Sequence, residues 1–340
     1  MKSLKMIAGA VACLIALVAF DSSLSLSSTA SAPLRKFEFT YVAKIPALPA
    51  DAKVSRIWIP LPQSNLYQTI RNLKIEAPFA YTEHKDPQYG NEYLYVQVPA
   101  SKIAQPAEVR VTFDVTRREH RVALEPRPAA ASSHVPTADL QRYLEPDRLI
   151  PLNGVIAELS AQQTKGLQDP LAKARAIYNY VIATMRYDKS GTGWGNGDAV
   201  WACTAKRGNC TDFHSLFIGM MRAAGIPARF EIGFPLPEDQ HDGAIPGYHC
   251  WAEFYVEPYG WIPVDASEAW KHPDKKDYFF GAHDDNRVQL TVGRDIRLDP
   301  PQQGQPLNYF VYPYAELDGK PLALTSTFSF QDRLAPKETK

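Results

Sequence analysis

The chain has 340 residues, enough for two or three domains with a sizeable core. Its 37 Lys and Arg balance 37 Asp and Glu, and 45% of its residues are hydrophobic. That composition excludes a charged disordered polymer, and with no basic stripe of interleaved aromatics it excludes nucleic acid as a partner.

The N-terminus reads as an export signal. Lys2 and Lys5 precede the apolar run Met6 to Phe20, and Ala30-Ser31-Ala32 fits the small-x-small rule for cleavage. Pro33 disfavours a cut directly after Ala32, which places the cut nearby. The run is short for a membrane span, which favours a removed signal (residues 1–32) over a retained anchor and a periplasmic or secreted location. No other segment is apolar enough to cross a membrane.

Residues 33–124 read as an antiparallel, sandwich-like β domain. Phe37, Phe39, Tyr41, Ala43 and Ile45 alternate with mostly polar neighbours, as do Val109, Val111, Phe113 and Val115. Tyr93 to Val98 is a shorter strand, and Ile57-Trp58-Ile59-Pro60-Leu61-Pro62 a strand ending at prolines. Residues 125–137, rich in Pro, Ala and Ser, form a linker. Helices dominate from 138 to 224. Asp169 caps one that has Pro170 at its first position and an apolar stripe from Leu171 to Met185. Gly191 to Gly197 interrupts the pattern and reads as a flexible rim or lid. A second strong helix starts at Cys210, buries Phe213, Leu216, Phe217, Met220 and Ala224, and stops at Gly225-Ile226-Pro227. Strands are expected at Ala228 to Phe234, Cys250 to Val256 and Trp261 to Asp265. The tail, 271–340, adds β-like runs at Val288 to Val292, Tyr309 to Tyr314 and Leu322 to Phe330.

Three residues carry the chemistry. Cys210 opens a helix, where unpaired backbone amides favour a thiolate and can hold an oxyanion. Alone it reads as a small core residue. His249 follows 39 residues on, at the start of a strand, and Asp265 lies 16 beyond it, past the turn Glu257-Pro258-Tyr259-Gly260. If that hairpin centres on Pro258, Asp265 faces Trp251 and shares a face with His249, within reach of a hydrogen bond; an even loop would put the two on opposite faces. Together the three are a nucleophile, a base and the carboxylate that orients the base.

Other candidates weigh less. His214, one turn after Cys210, reads as packing or capping rather than a second base. Trp251, Trp261 and Trp270 read as core before substrate groove. Cys203 and Cys210 are too far apart in sequence for a zinc pair, and no metal or organic cofactor is expected. With the signal removed, Cys203, Cys210 and Cys250 remain, an odd count that leaves a free thiol. Cys210 is expected to be free, and a Cys203–Cys250 disulfide is one pairing the others allow. The sequon Asn209-Cys210-Thr211 reads as chance, because a glycan would bury the nucleophile.

The blocks RGNCTDFHSLF, HCWAEFYV and GWIPVDAS, at Cys210, His249 and Asp265, resemble the three signature blocks of the transglutaminase-like superfamily across roughly residues 150 to 270. The resemblance implies an α+β fold in which a papain-like core (138–270), its cysteine helix packed on an antiparallel sheet, follows the β domain. It further implies Cys210 as nucleophile, His249 as general base and acid, and Asp265 as the orienting carboxylate. Tyr187 and Trp201, like Trp194, precede the nucleophile as aromatic candidates for assisting the oxyanion site. The expected activity is thiol-dependent acyl transfer or hydrolysis on peptide or isopeptide amides of a protein or cell-envelope substrate. A strict cysteine peptidase or amidase and an inactive binding scaffold are the alternatives. Oligomeric state is not legible.

Overall fold

The computed structural model describes residues 33–125 and 137–333. The expected signal peptide and most of the linker lie outside them. In chain order the first elements are β1 (Leu34–Ile45), β2 (Val54–Pro60), β3 (Gln68–Glu76), β4 (Thr82–Lys85), β5 (Glu92–Pro99), β6 (Ala107–Arg118) and β7 (His120–Arg121). A helical stretch follows: α1 (Thr137–Gln141), α2 (Gly154–Gln163) and α3 (Pro170–Thr184). Next come β8 (Arg186–Tyr187), α4 (Ala199–Ala205), β9 (Arg207–Gly208) and α5 (Cys210–Ala223). The core then runs through β10 (Ala228–Pro235), β11 (Asp242–Ile245), β12 (His249–Val256), β13 (Gly260–Val264) and α6 (Ala266–Lys271). The chain closes with β14 (Ala282–His283), β15 (Arg287–Val292), β16 (Tyr314–Leu317), β17 (Lys320–Pro321) and β18 (Thr325–Asp332).

The alternating residues of β1 and β6 pair directly, Phe39 opposite Phe113 and Tyr41 opposite Val111, and bury one common face. They form the middle of a five-stranded antiparallel sheet ordered β11-β18-β1-β6-β3. A second sheet, ordered β17-β16-β2-β5-β4, contributes Ile57, Ile59, Leu94 and Val96 to the same hydrophobic core. β3 shows no such alternation, being mostly exposed, which is why periodicity does not reveal it.

Sequence set 33–124 and 271–340 apart; by strand pairing these segments are interleaved. β18 lies between β1 and β11, and β16 pairs with β2. The expected strand at Tyr309 to Tyr314 is a correction: regular strand starts only at Tyr314, after Pro313. Residues 309–313 instead cross the end of β15, where Thr291 Oγ1 donates to the Phe310 carbonyl at 2.6 Å.

The third sheet, β13-β12-β10-β15, carries the site. α5 packs on β10 and β12, with α2, α3 and α4 on its other side. Every residue from Cys210 to Arg222 is therefore buried, more than the one stripe read from sequence. α3 starts as expected: Asp169 caps it by accepting from the Ala172 N–H at 2.8 Å, with Pro170 in the first turn.

Phe328 of β18 is the most exposed of these structural dependencies to test. Its ring contacts Phe39, Tyr41, Phe234 and Tyr312, so it joins the last strand to both the first sheet and β10. Phe328→Ala is expected to cost about 3–5 kcal/mol in urea denaturation. A loss under roughly 1 kcal/mol would show that the core closes without it.

Candidate active site

The helix that carries Cys210 begins with a reciprocal cap. Asn209 Oδ1 accepts from the Thr211 N–H at 2.9 Å, and Asp212 Oδ2 accepts from the Asn209 N–H at 2.9 Å. The same Asp212 carboxylate accepts from the Gly195 N–H at 2.7 Å and the Gly197 N–H at 3.0 Å. The glycine-rich loop is thus tied to α5 and is not the free lid that its composition suggests. Gly208 (φ 151°) is required here, since a Cβ would lie 2.3 Å from Asp212 Oδ2.

The β12–β13 hairpin has the odd register. Ala252 faces Val264 and Val256 faces Gly260, so the turn centres on Pro258. Asp265, one residue past β13, reaches His249: Nε2 donates to Oδ2 at 2.7 Å. Asp265 also caps α6, its Oδ1 accepting from the Glu268 N–H at 3.0 Å and from Ser267 Oγ at 3.1 Å. Arg287 of β15 completes its shell, donating from Nη1 to Oδ2 at 3.2 Å. Burial would raise the Asp265 pKa, but His249 and Arg287 outweigh it and hold the carboxyl well below its usual range.

Cys210 is 2% exposed. Burial would push its thiol up; hydrogen bonds from Cys250 and His249, and the His249 charge, overcome this and hold it well below the ordinary thiol range. Burial likewise opposes the imidazolium, yet Asp265 and Cys210 raise the His249 pKa to about 10. Both shifts favour the thiolate and imidazolium forms of the pair.

The structure brings Cys210, His249 and Asp265 together. It puts Tyr187 beside them: β8 runs parallel to β9 with Tyr187 opposite Gly208, and the phenol pKa is raised by burial and by the Cys210 charge. Trp201 sits elsewhere, on α4 under the glycine loop. A Cβ at Gly193 would meet its indole nitrogen at 2.5 Å, and Arg207 lies over its ring. That position is packing rather than assistance at the sulfur.

His214 is a strut. Its Nδ1 donates to the Cys210 carbonyl at 2.8 Å, and its Nε2 accepts from the Ala266 N–H at 3.1 Å. A nitrogen that accepts from an amide carries no proton, so the ring is neutral despite lying 3.6 Å from Asp265, and burial lowers its pKa accordingly. It ties the start of α5 to the segment that follows Asp265.

The disulfide expectation is corrected: Cys203 and Cys250 are both free. Cys203 Sγ bonds the Val200 carbonyl within its own helix, whereas Cys250 Sγ lies 3.7 Å from Thr211 Oγ1 and 3.8 Å from His214 Nδ1. Burial and the neighbouring Cys210 raise the Cys250 thiol well above the ordinary range, so it stays protonated and donates to Cys210. Sequence reasoning missed this role, and it missed Tyr248, whose hydroxyl lies 2.9 Å from Asn209 Nδ2 and 2.7 Å from Thr211 Oγ1. Adjacency to His249 was the available signal for both. Arg287 had none, lying in a strand that only folding brings to Asp265.

A cysteine at a helix start, packed on an antiparallel sheet whose adjacent strands bring up a histidine and an aspartate, defines a papain-like α+β core. Residues 157–266 match the transglutaminase-like superfamily, and the chain carries a domain of that superfamily. It is 28% identical over 326 residues to an uncharacterised protein of Haemophilus influenzae, the match covering 84% of this chain and 87% of that one. Among solved structures, a Cytophaga hutchinsonii protein described as a candidate cysteine protease superposes with a TM-score of 0.62. That match covers 89% of this chain and 92% of the other at 16% identity, a likeness of fold.

The ion pair has a direct signature. Iodoacetamide alkylation of Cys210 is expected to keep a nearly constant rate from about pH 6 to about pH 9, because the thiolate is already formed. In His249→Gln the rate should rise about tenfold per pH unit toward a thiol pKa of roughly 8.5 or higher. A wild-type profile that titrates like a free thiol would show that no such pair exists.

Proposed function

We propose that this protein is a thiol-dependent acyl-transfer enzyme acting on peptide or isopeptide amides. The observation that carries the reading is the buried Cys210 at the start of α5 with His249 beside it and hydrogen-bonded to Asp265, an arrangement whose pKa shifts favour thiolate and imidazolium. The Cys210 sulfur attacks the amide carbonyl carbon, forming a C–S bond and an oxyanion. Asn209 takes the Thr211, Asp212 and Phe213 amides, which leaves the Cys210 N–H as the first-turn donor for that oxyanion. His249 gives its proton to the leaving nitrogen as the C–N bond breaks, and a thioester remains. Water or an amine then attacks the thioester, returning a proton to His249 and the sulfur to its thiolate. With an exported location, the amides at hand are those of envelope proteins and stem peptides.

Incubation with casein and a fluorescent primary amine tests the chemistry and the acceptor together. Amine incorporation is expected if the second nucleophile is an amine, and new N-termini without incorporation if it is water. Either activity should fall at least about a thousandfold in Cys210→Ser and His249→Gln. If folded wild-type protein shows neither reaction, while Cys210 alkylates no faster than a free thiol, the chain is a scaffold instead.

A further inference from the structure

On the side of the four-stranded sheet away from α5, toward the N-terminal strands, lies a second cavity of about 460 Å³. Arg117, His120, Arg229, Glu231, Glu253 and Trp261 line it, and none of the three active-site residues does. Most of its charges are matched. Arg229 pairs with Glu253 at 2.5 Å and Glu231 at 3.3 Å. The other Glu231 oxygen accepts from Trp251 Nε1 at 2.6 Å, and the other Glu253 oxygen lies 3.1 Å from His120 Nδ1.

Arg117 is the exception. It is 2% exposed, and among the described residues its guanidinium has no hydrogen-bond or ion-pair partner; Nε is sealed from solvent as well as unpaired. Burying an unmatched guanidinium is unfavourable unless an anion completes it. His120 Nε2, also buried, lacks a partner too.

A cation suits this place less well. Ligand atoms of His120, Glu253 and His283 lie within 4.8 Å of one another, and both His283 nitrogens are unpaired. The case against an ion there rests on charge and on the partners already in place. Both Glu253 oxygens are already engaged, and Arg117, Arg229 and Arg287 surround the group.

The charges are also arranged by side. Arg117 has no partner in contact, and the Glu231, Asp284 and Glu253 charges reach it only from a distance, whereas Arg229 is shared by Glu231 and Glu253; burial and the Glu253 charge raise Glu231 to about 7, so this group gains its excess negative charge as the pH rises through neutrality. A phosphate dianion would satisfy the first and be repelled by the second. A zwitterion satisfies both and leaves the wall neutral, and the volume suits a small ligand. We propose that this cavity binds a free amino acid or short peptide, its carboxylate on Arg117 and its amine toward Glu231 and Glu253.

Calorimetric titration of the full-length Cys210→Ser protein with alanine, alanyl-alanine, acetate, inorganic phosphate and zinc tests it. At least one zwitterion should bind saturably and tenfold or more tighter than acetate or phosphate. Arg117→Met should weaken that binding tenfold or more, which binding at the active site would not show. Glu231→Gln should weaken the zwitterion while leaving acetate unchanged. Should Arg117→Met fail to fold, Arg117→Lys, which keeps the charge but loses the two-pronged geometry, should still weaken binding at least threefold. The proposal is overturned if neither zwitterion binds, if binding is unchanged in the Arg117 variants, if phosphate binds more tightly, or if zinc binds in a way abolished by His283→Ala. None of these outcomes depends on catalysis, so the acyl-transfer reading stands or falls separately.

Discussion

Asp265 holds the centre of this structure together. A fully buried carboxylate is costly unless every lone pair is used, and this one accepts from His249, Arg287, Ser267 and the Glu268 amide. Those donors come from β12, β15 and the first turn of α6. Through the Ala266 amide the next residue also grips His214, and hence the carbonyl of Cys210. One side chain thus fixes the orientation of the imidazole, the start of α6 and, through its neighbour, the approach of the cysteine helix to the sheet.

The electrostatics of the pair follow from that arrangement. Asp265 favours the charged imidazole, which in turn favours the thiolate. Between the ordinary histidine and cysteine values of 6.5 and 9.0, the unfolded chain carries one proton on sulfur and the folded chain carries one on the ring. Folding moves that proton without net uptake, so the pair adds no pH dependence to stability in this window. Below 6.5 the unfolded chain binds the extra proton, and the pair's contribution declines as the pH falls.

Much of the site was legible before the fold was seen. Helix starts, strand alternation and the parity of a hairpin are local properties, so Cys210, His249 and Asp265 could be placed by counting residues. What stayed hidden depends on contacts between distant segments. Arg287 reaches Asp265 only because β15 joins β10. Asp212 was not singled out, yet it accepts from the Asn209 amide and from two amides of the glycine loop. The interleaved N- and C-terminal strands were equally invisible, because nothing in an alternating pattern names its partner. Cys250 illustrates a different limit: the disulfide arithmetic counted its sulfur but could not give its direction.

The interleaving also has a temporal meaning. Arg35 and Asp332 are bonded across 297 positions of sequence, and β18 is the strand that separates β1 from β11. On the ribosome, β1 is among the earliest parts of the described chain to emerge and its neighbour β18 among the last. The first sheet cannot close before β18 has been made, so the growing chain keeps an unpaired apolar edge on β1 while the whole of the four-stranded sheet is synthesised. The segments that bear Cys210 and His249 are thus complete before that edge is covered.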